Sequence, residues 1–205
     1  MQLCVIADIH GRTNYIPRLQ KVSYDILVIC GDITNFGHCK EAFTILAMIP
    51  EPFLAVHGNC DFDDTLEALN QKKCNLHRRT VTLENEKFSG FGGSNPFVRG
   101  TPCEYPEDII YEGLSHIPPE CILVTHAPPH NTATDKALRI KHAGSKAVRQ
   151  IIEEKKPKIA LCGHIHESRN TDYIGETLVV NPGKFCDGYY AVVSVKDREC
   201  RLEKF

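Results

Sequence analysis

Carboxylates, imidazoles and two amides recur in this 205-residue chain where short apolar runs end. The run 3–7 stops at Asp8 and His10, 26–30 at Asp32, and 53–56 at Asn59. The run 122–125 stops at His126, 159–162 at His164 and His166, and 178–180 at Asn181. Side chains of these types bind divalent metals or phosphates. A mixed oxygen and nitrogen donor set suits Mn, Fe, Zn or Ni better than calcium. The pattern predicts a hydrolytic centre built on two metal ions.

The runs themselves predict the elements that position these residues. Short stretches rich in Val, Ile and Leu read as strands buried on both faces, and open α/β sheets gather ligands at the carboxyl ends of their strands. Helices are expected over 16–22, 40–49, 65–73, 109–117 and 145–155. Their expected inner faces carry Phe43, Leu46 and Ala47 in the second, Leu66 and Leu69 in the third, and Val148, Ile151 and Ile152 in the last. Pro50 and Pro52 end the 40–49 helix. Val81, Leu83, Phe88 and Phe91 indicate a hairpin around 84–87, after which Gly90, Gly92 and Gly93 are expected to open a loop. Gly92-Gly93 is not followed by Gly-Lys-Ser/Thr, so a phosphate cradle has no support. With Pro96, Gly100, Pro102 and Pro106, the stretch 94–106 reads as irregular surface. The long segment 127–144 is expected beside the metals, because loops of that length tend to be functional. Antiparallel strands are expected from 173 to 205, in segments such as 178–181, 189–195 and 200–202. The economical architecture is two β-α-β halves, with mixed sheets face to face and helices outside.

Composition narrows the function classes. A hydrophobic share of 42% over 205 residues is enough for one domain, 1–205, with a sizeable core. Basic and acidic residues, 24 against 26, nearly cancel, so no global field holds a long polyanion and extended nucleic acid is not an expected partner. No apolar run approaches the roughly 18 residues of a membrane span, and no leader pattern opens the chain. A soluble, cytoplasmic protein without a membrane partner is expected. The ten cysteines include Cys4, Cys30, Cys121 and Cys162 inside predicted strands and no C-x-x-C pair, which favours reduced thiols over a disulfide scaffold or zinc ribbon.

Taken in order, Asp8-Ile9-His10-Gly11, Gly31-Asp32, Gly58-Asn59-Cys60-Asp61, Thr125-His126, Gly163-His164-Ile165-His166 and Asn181-Pro182-Gly183 resemble the calcineurin-like metallophosphoesterase family. The resemblance spans residues 8 to 183. It implies an α/β fold, a four-layer α/β/β/α sandwich of two mixed sheets flanked by helices. It also implies a dinuclear centre that hydrolyses small phosphate esters, with two divalent transition-metal ions, Mn first and Fe, Ni or Zn as alternatives. One ion would take Asp8, His10, Asp32 and His166, the other Asp32, Asn59, His126 and His164, with Asp32 bridging. Two dications about 3.5 to 4 Å apart lower the pKa of a shared solvent molecule towards 7. Direct in-line attack on phosphorus is then expected.

The third block departs from the Gly-Asn-His-Asp common in the family, where the His stands near the leaving group and is oriented by the following acid. Cys60 occupies the His position here, followed by Asp61. A thiol is a poor proton donor to an alkoxide, which implies good leaving groups, hence diesters, or another donor such as His57 or His130. The catalytic set is therefore Asp32, Asn59, Cys60 and Asp61, and the substrate-contact set Arg12, Asn35 and His130. Asn181 and Gly183 are candidates for shaping the rim. His38, His77 and His116 read as structural or surface residues. A nuclease of the same family, or a non-catalytic protein-interaction scaffold with this fold, are the competing readings. An Asp-Ile-His-Gly turn after the first strand excludes a Gly-x-Gly-x-x-Gly dinucleotide site.

Overall fold

The computed structural model describes residues 1–96, 100–138 and 141–205. Parts of both long loops, 97–99 and 139–140, lie outside the described residues. Parallel strands β1 (Gln2–Ile6), β2 (Ile26–Cys30) and β3 (Phe53–Val56) are joined through a 3-10 segment (Ile16–Lys21) and helix α1 (Cys39–Leu46), and helix α2 (Thr65–Gln71) follows. β4 (Arg79–Leu83) and β5 (Glu86–Phe91) form the expected hairpin, turning through Glu84 and Asn85 at φ 51° and 66°. Then come α3 (Glu107–Leu114), β6 (Ile122–Thr125), a two-residue-arm hairpin of β7 (Lys136–Ala137) and β8 (Lys141–His142), α4 (Lys146–Lys155) and β9 (Ile159–Leu161). The chain ends with β10 (Asn170–Ile174), β11 (Thr177–Asn181), β12 (Tyr189–Ser194) and β13 (Glu199–Lys204).

One sheet has the order β13-β12-β1-β2-β3 and the other β10-β11-β9-β6-β5-β4. Both are mixed. Leu3, Val5, Val28, Val56, Val124, Leu161 and Val180 pack between the sheets. The opposite side chains of the first sheet, Cys4, Ile6, Leu27 and Ile29, meet Ile16, Leu19, Ile45, Leu46 and Leu69. Those of the second, Leu123, Ala160 and Val179, meet Ile110, Leu114, Val148, Ile151 and Ile152. Strands buried on both faces thus give the four-layer sandwich that the apolar runs imply.

Local chemistry sets the helix ends. Ser145 caps α4 by accepting from Val148 N (3.1 Å), and Glu107 on α3 accepts from Ser145 Oγ (2.6 Å), Lys146 N and Ala147 N. This places a carboxylate at the positive end of α4 and staples the two outer helices together.

Several expectations are corrected. In α1 the inner face is Ala42, Ile45 and Leu46, with Ile49 beyond it, while Phe43 and Ala47 face outward, because packing on the first sheet selects the 42/45/46/49 stripe over the equally helical 43/46/47 spacing. Gly90 lies inside β5 rather than in a loop. A Cβ there would come within 2.9 Å of Leu76 Cβ and Val56 Cγ1 and 2.8 Å of Val124 O, so the glycine permits close approach of the two sheets. The 94–106 stretch is not simple surface: Ser94, Asn95 and Cys103 are buried, and Cys103 N donates to Asn59 O at 3.1 Å. β10 begins before the C-terminal segments expected from alternation alone.

Candidate metal centre

The strand-end residues converge where the two sheets meet, and they do so on strained backbone. Asp8, His10, Asp32 and His164 have φ values of 57°, 47°, 51° and 68°, in the left-handed region that non-glycine residues rarely adopt. Such strain costs about 1–3 kcal/mol per residue and tends to mark functional sites. The loops after β1 and β2 are zipped together, with Asp8 N donating to Gly31 O, His10 N to Asp32 O and Gly11 N to Ile33 O at 2.9–3.1 Å. A Cβ on Gly58 would overlap Asp32, so the turn after β3 reaches the carboxylate only through glycine.

Asp8 Oδ1, His10 Nε2, an Asp32 oxygen and His166 Nε2 form one cluster, with ligand atoms all within 4.8 Å of one another. Its contacts include His10 Nε2 to Asp32 Oδ2 at 3.6 Å and His166 Nε2 to Asp8 Oδ1 at 3.4 Å. The His10 and His166 Nε2 atoms face each other at 3.1 Å. Both Asp8 oxygens are fully buried and accept no hydrogen bond among the described residues. A buried carboxylate without donors is expensive unless a cation meets it. On the other side of Asp32, its Oδ1 lies 3.4 Å from His126 Nε2, which lies 2.8 Å from Asn59 Oδ1. The His164 ring stands 5.0 Å from that of His126, centroid to centroid. His126 Nδ1 donates to Cys30 O at 2.7 Å, leaving Nε2 as the unprotonated, ligand-ready nitrogen. The donor set fits divalent metal ions, with Asp32 between two groups of ligands.

The electrostatics agree with that chemistry. Burial and the neighbouring Asp8 push Asp32 up to about 6. Burial also works against ionised Asp8, but His166, His126 and His10 outweigh it and hold its carboxyl below the usual range. Burial lowers His10 and His126, and takes His164 down to about 3, so these rings are neutral donors. His166 is the exception: desolvation opposes its charge, yet the Asp8 carboxylate 3.4 Å from its Nε2 raises it.

The third block divides in function. Cys60 N donates to Asp32 Oδ1 (2.8 Å), and the Cys60 thiol, next to Asn59 Nδ2 at 3.6 Å, is pushed up by burial and by Asp32, so it stays protonated. It is no nucleophile at neutral pH. Asp61 is fully buried, and its oxygens accept from Ile33 N, Thr34 N, Thr34 Oγ1 and Gly58 N at 2.7–3.1 Å. Every acceptor direction of Asp61 is spent on the two ligand-bearing turns, which makes it a positioning residue rather than one that touches substrate. His57 is enclosed against His77 and Tyr105, with Nε2 3.4 Å from the Tyr105 hydroxyl. His57, offered by the sequence as an alternative donor, is thus a packed residue beside the third block.

The cavity of about 280 Å³ beside the centre is lined by His10, Arg12, Asn35, His166, Lys184 and Cys186. Arg12 and Asn35 thus share a cavity with two of the clustered histidines. His130 is not in this lining; its ring faces His142 (5.7 Å) and its carbonyl accepts from Arg149. The 127–144 segment instead supports the metal loop, since Ala137 and Ala143 pack on Ile165 between the two ligand histidines. Asn181 ties the same loop down, its Nδ2 directed at the carbonyls of Ile165 (3.0 Å), Thr134 and Gly163.

Lys184, Cys186 and Thr101 escaped the sequence reading. Thr101 Oγ1 accepts from Asn59 Nδ2 (3.0 Å) and donates to Glu104 Oε1 (2.7 Å). Nothing local marks Thr101. For Lys184 the only signal is its place directly after Asn181-Pro182-Gly183.

Comparison with known proteins agrees with this geometry. A family profile described as metallophosphoesterase, calcineurin superfamily, matches residues 101–205. An uncharacterised protein of Methanocaldococcus jannaschii is 43% identical over 191 residues, covering 89% of this chain and 88% of that protein. The crystal structure of a dimetal phosphatase from Danio rerio superposes with a TM-score of 0.66 at 10% identity, covering 100% of this chain and 95% of that one. An archaeal phosphodiesterase superposes with a TM-score of 0.59 at 15% identity over 100% of both chains. At those identities the two structures share the fold. Together with the strand-end metal ligands, the family match places this chain in the calcineurin superfamily of metallophosphoesterases.

Proposed function

We propose that the protein is a dinuclear-metal phosphodiesterase, active with Mn2+, that cleaves a small phosphate diester by in-line attack. The observation that carries this reading is the gathering of Asp8, His10, Asp32 and His166 on one side and Asn59, His126 and His164 on the other side of Asp32, with both Asp8 oxygens buried and without donors among the described residues. When bound, the two ions supply hydroxide at neutral pH and positive charge for the phosphoryl oxygens.

This chain's residues do the rest. Asp8, His10, Asp32 and His166 would hold one ion, and Asp32, Asn59, His126 and His164 the other. Cys60 N–H holds the Asp32 carboxylate in place, and Cys30 O fixes the His126 tautomer. Arg12 and Asn35, which line the cavity beside the centre, would meet the incoming phosphate. The protonated Cys60 thiol is too weak an acid to help a poor leaving group depart. That supports diesters with stable leaving groups over monoesters of ordinary alcohols.

The test is hydrolysis of bis(p-nitrophenyl) phosphate and p-nitrophenyl phosphate by metal-stripped protein with Mn, Ni, Fe, Zn or Mg added back. Diester turnover restored by metal and well above the monoester rate is expected. Asp32→Asn should abolish it. No turnover in protein shown to bind two ions would overturn the reading in favour of a scaffold.

A further inference from the structure

Arg12 and Lys184 come from opposite ends of the sequence and line the same cavity beside His10 and His166. Lys184 is carried there by backbone pairing: residue 184 bridges Ala7, Phe185 N donates to Ala7 O at 2.8 Å, and Cys186 N to Asp8 O at 3.2 Å. Its ammonium is held 3.0 Å from Asp187 Oδ2. Arg12 is exposed, and its side chain makes no hydrogen bond or ion pair among the described residues.

A charge count suggests what the pair is for. Two dications offset by Asp8, Asp32 and a hydroxide retain about one positive charge, which the single charge of a diester phosphate cancels. Arg12 and Lys184, less Asp187, add one more. A guanidinium without an ion-pair partner among the described residues, lining the same hollow as Lys184, suits the oxygens of a second phosphate, where Arg can bind two oxygens at once.

We propose that Arg12 and Lys184 form a second anion subsite, and that the natural substrate carries a further phosphate next to the scissile diester, as in a pyrophosphate-containing ester. This deepens the proposed function and rests on it for the position of the scissile group. The same pair serving only the scissile phosphate is the competing outcome.

The experiment is calorimetric titration of Mn2+-loaded protein with methylenediphosphonate and with methylphosphonate, on wild type, Arg12→Gln and Lys184→Gln. Wild type should bind the diphosphonate at least roughly tenfold more tightly, and each substitution should bring the ratio close to one. Equal affinities in wild type would overturn the proposal. So would a ratio unchanged in both variants, because the metals or a shared contact would then account for binding. Mn2+ stoichiometry measured on each variant reports that the fold and centre are intact. A preference found in protein that hydrolyses no ester would leave the subsite standing and remove the proposed function. If no Mn2+ is taken up, the proposed function fails, and the same titrations on metal-free protein still read the subsite through its dependence on both residues.

Discussion

Thr101 turns the amide of Asn59. Its Oγ1 accepts from Asn59 Nδ2 at 3.0 Å and is itself oriented by Glu104, so Asn59 Oδ1 points at His126 Nε2, 2.8 Å away. An amide without that anchor is free to present its NH2 where a metal needs oxygen. Thr101→Val keeps the shape and removes the acceptor. It should weaken one of two Mn2+ binding steps by roughly 10–100-fold, read by titration calorimetry, while Thr101→Ser retains wild-type binding. Unchanged affinity in the Val variant would remove Thr101 from the supporting shell.

Asp61 accepts four hydrogen bonds in a fully buried position. Asp61→Asn replaces an oxygen with a donor that faces N–H groups. The expected loss is about 3 kcal/mol, or a fall in Tm of ~6–12 °C for a chain of this size. Metal uptake should fall with it, because Ile33, Thr34 and Gly58 flank Asp32 and Asn59. A melting temperature within a degree or so of wild type would show that the carboxylate does not hold the turns.

Burial lowers His57, His77, His126, His164 and His10, with His77 taken to about 4 and His164 to about 3. The unfolded chain takes up protons on these rings below their ordinary value of 6.5 and the folded one does not. Their contribution is therefore present above about pH 6.5 and lost as pH falls towards 4. Asp32 and Asp61, raised to about 6, and the raised His166 act in the opposite sense, and the lowered imidazoles outnumber them. Scanning calorimetry of metal-free protein should show Tm falling steeply below about pH 6. A Tm that is flat or rises on acidification would contradict this balance.

Cys60 stands where a better proton donor is common in the family the sequence resembles. Cys60→His should raise kcat for esters with poorly departing alcohols by roughly 10²-fold or more, and leave p-nitrophenol esters little changed. The comparison needs only two leaving groups on one diester scaffold. An equal effect on both would mean that position 60 does not serve the leaving group.

Gly90 lets the two sheets close on each other. Gly90→Val forces a side chain into a space where even a Cβ meets Val124, Leu76 and Val56. About 1–3 kcal/mol of destabilisation is expected, measurable as a lower urea midpoint with an unchanged slope. A variant as stable as wild type would show that the sheets can part to admit it.

The sequence by itself determined which residues gather at the centre and which strands deliver them. Hydrophobic runs buried on both faces are legible without coordinates, and a strand has a definite end, so Asp8, Asp32, Asn59, His126 and the two histidines at 164 and 166 fall together once the sheets form. Helix positions were legible to within a few residues. The phase of α1 was not, since the 43/46/47 and 42/45/46 spacings are equally helical and only packing on the first sheet turns Phe43 outward and Ala42 inward. Tertiary structure decided what depends on contacts distant in sequence. Thr101 meets Asn59 across 42 positions, Lys184 reaches the Asp8 loop from the far end of the chain, and the separation of Asp61 and His57 from the substrate side follows from which neighbours enclose them. No local propensity or periodicity encodes such pairings, because each exists only when two independently formed turns are brought within hydrogen-bonding distance. The left-handed backbone at Asp8, His10, Asp32 and His164 belongs to the same class. Three-dimensional packing imposes it against local preference, and the buried donor cluster is what it gains in return.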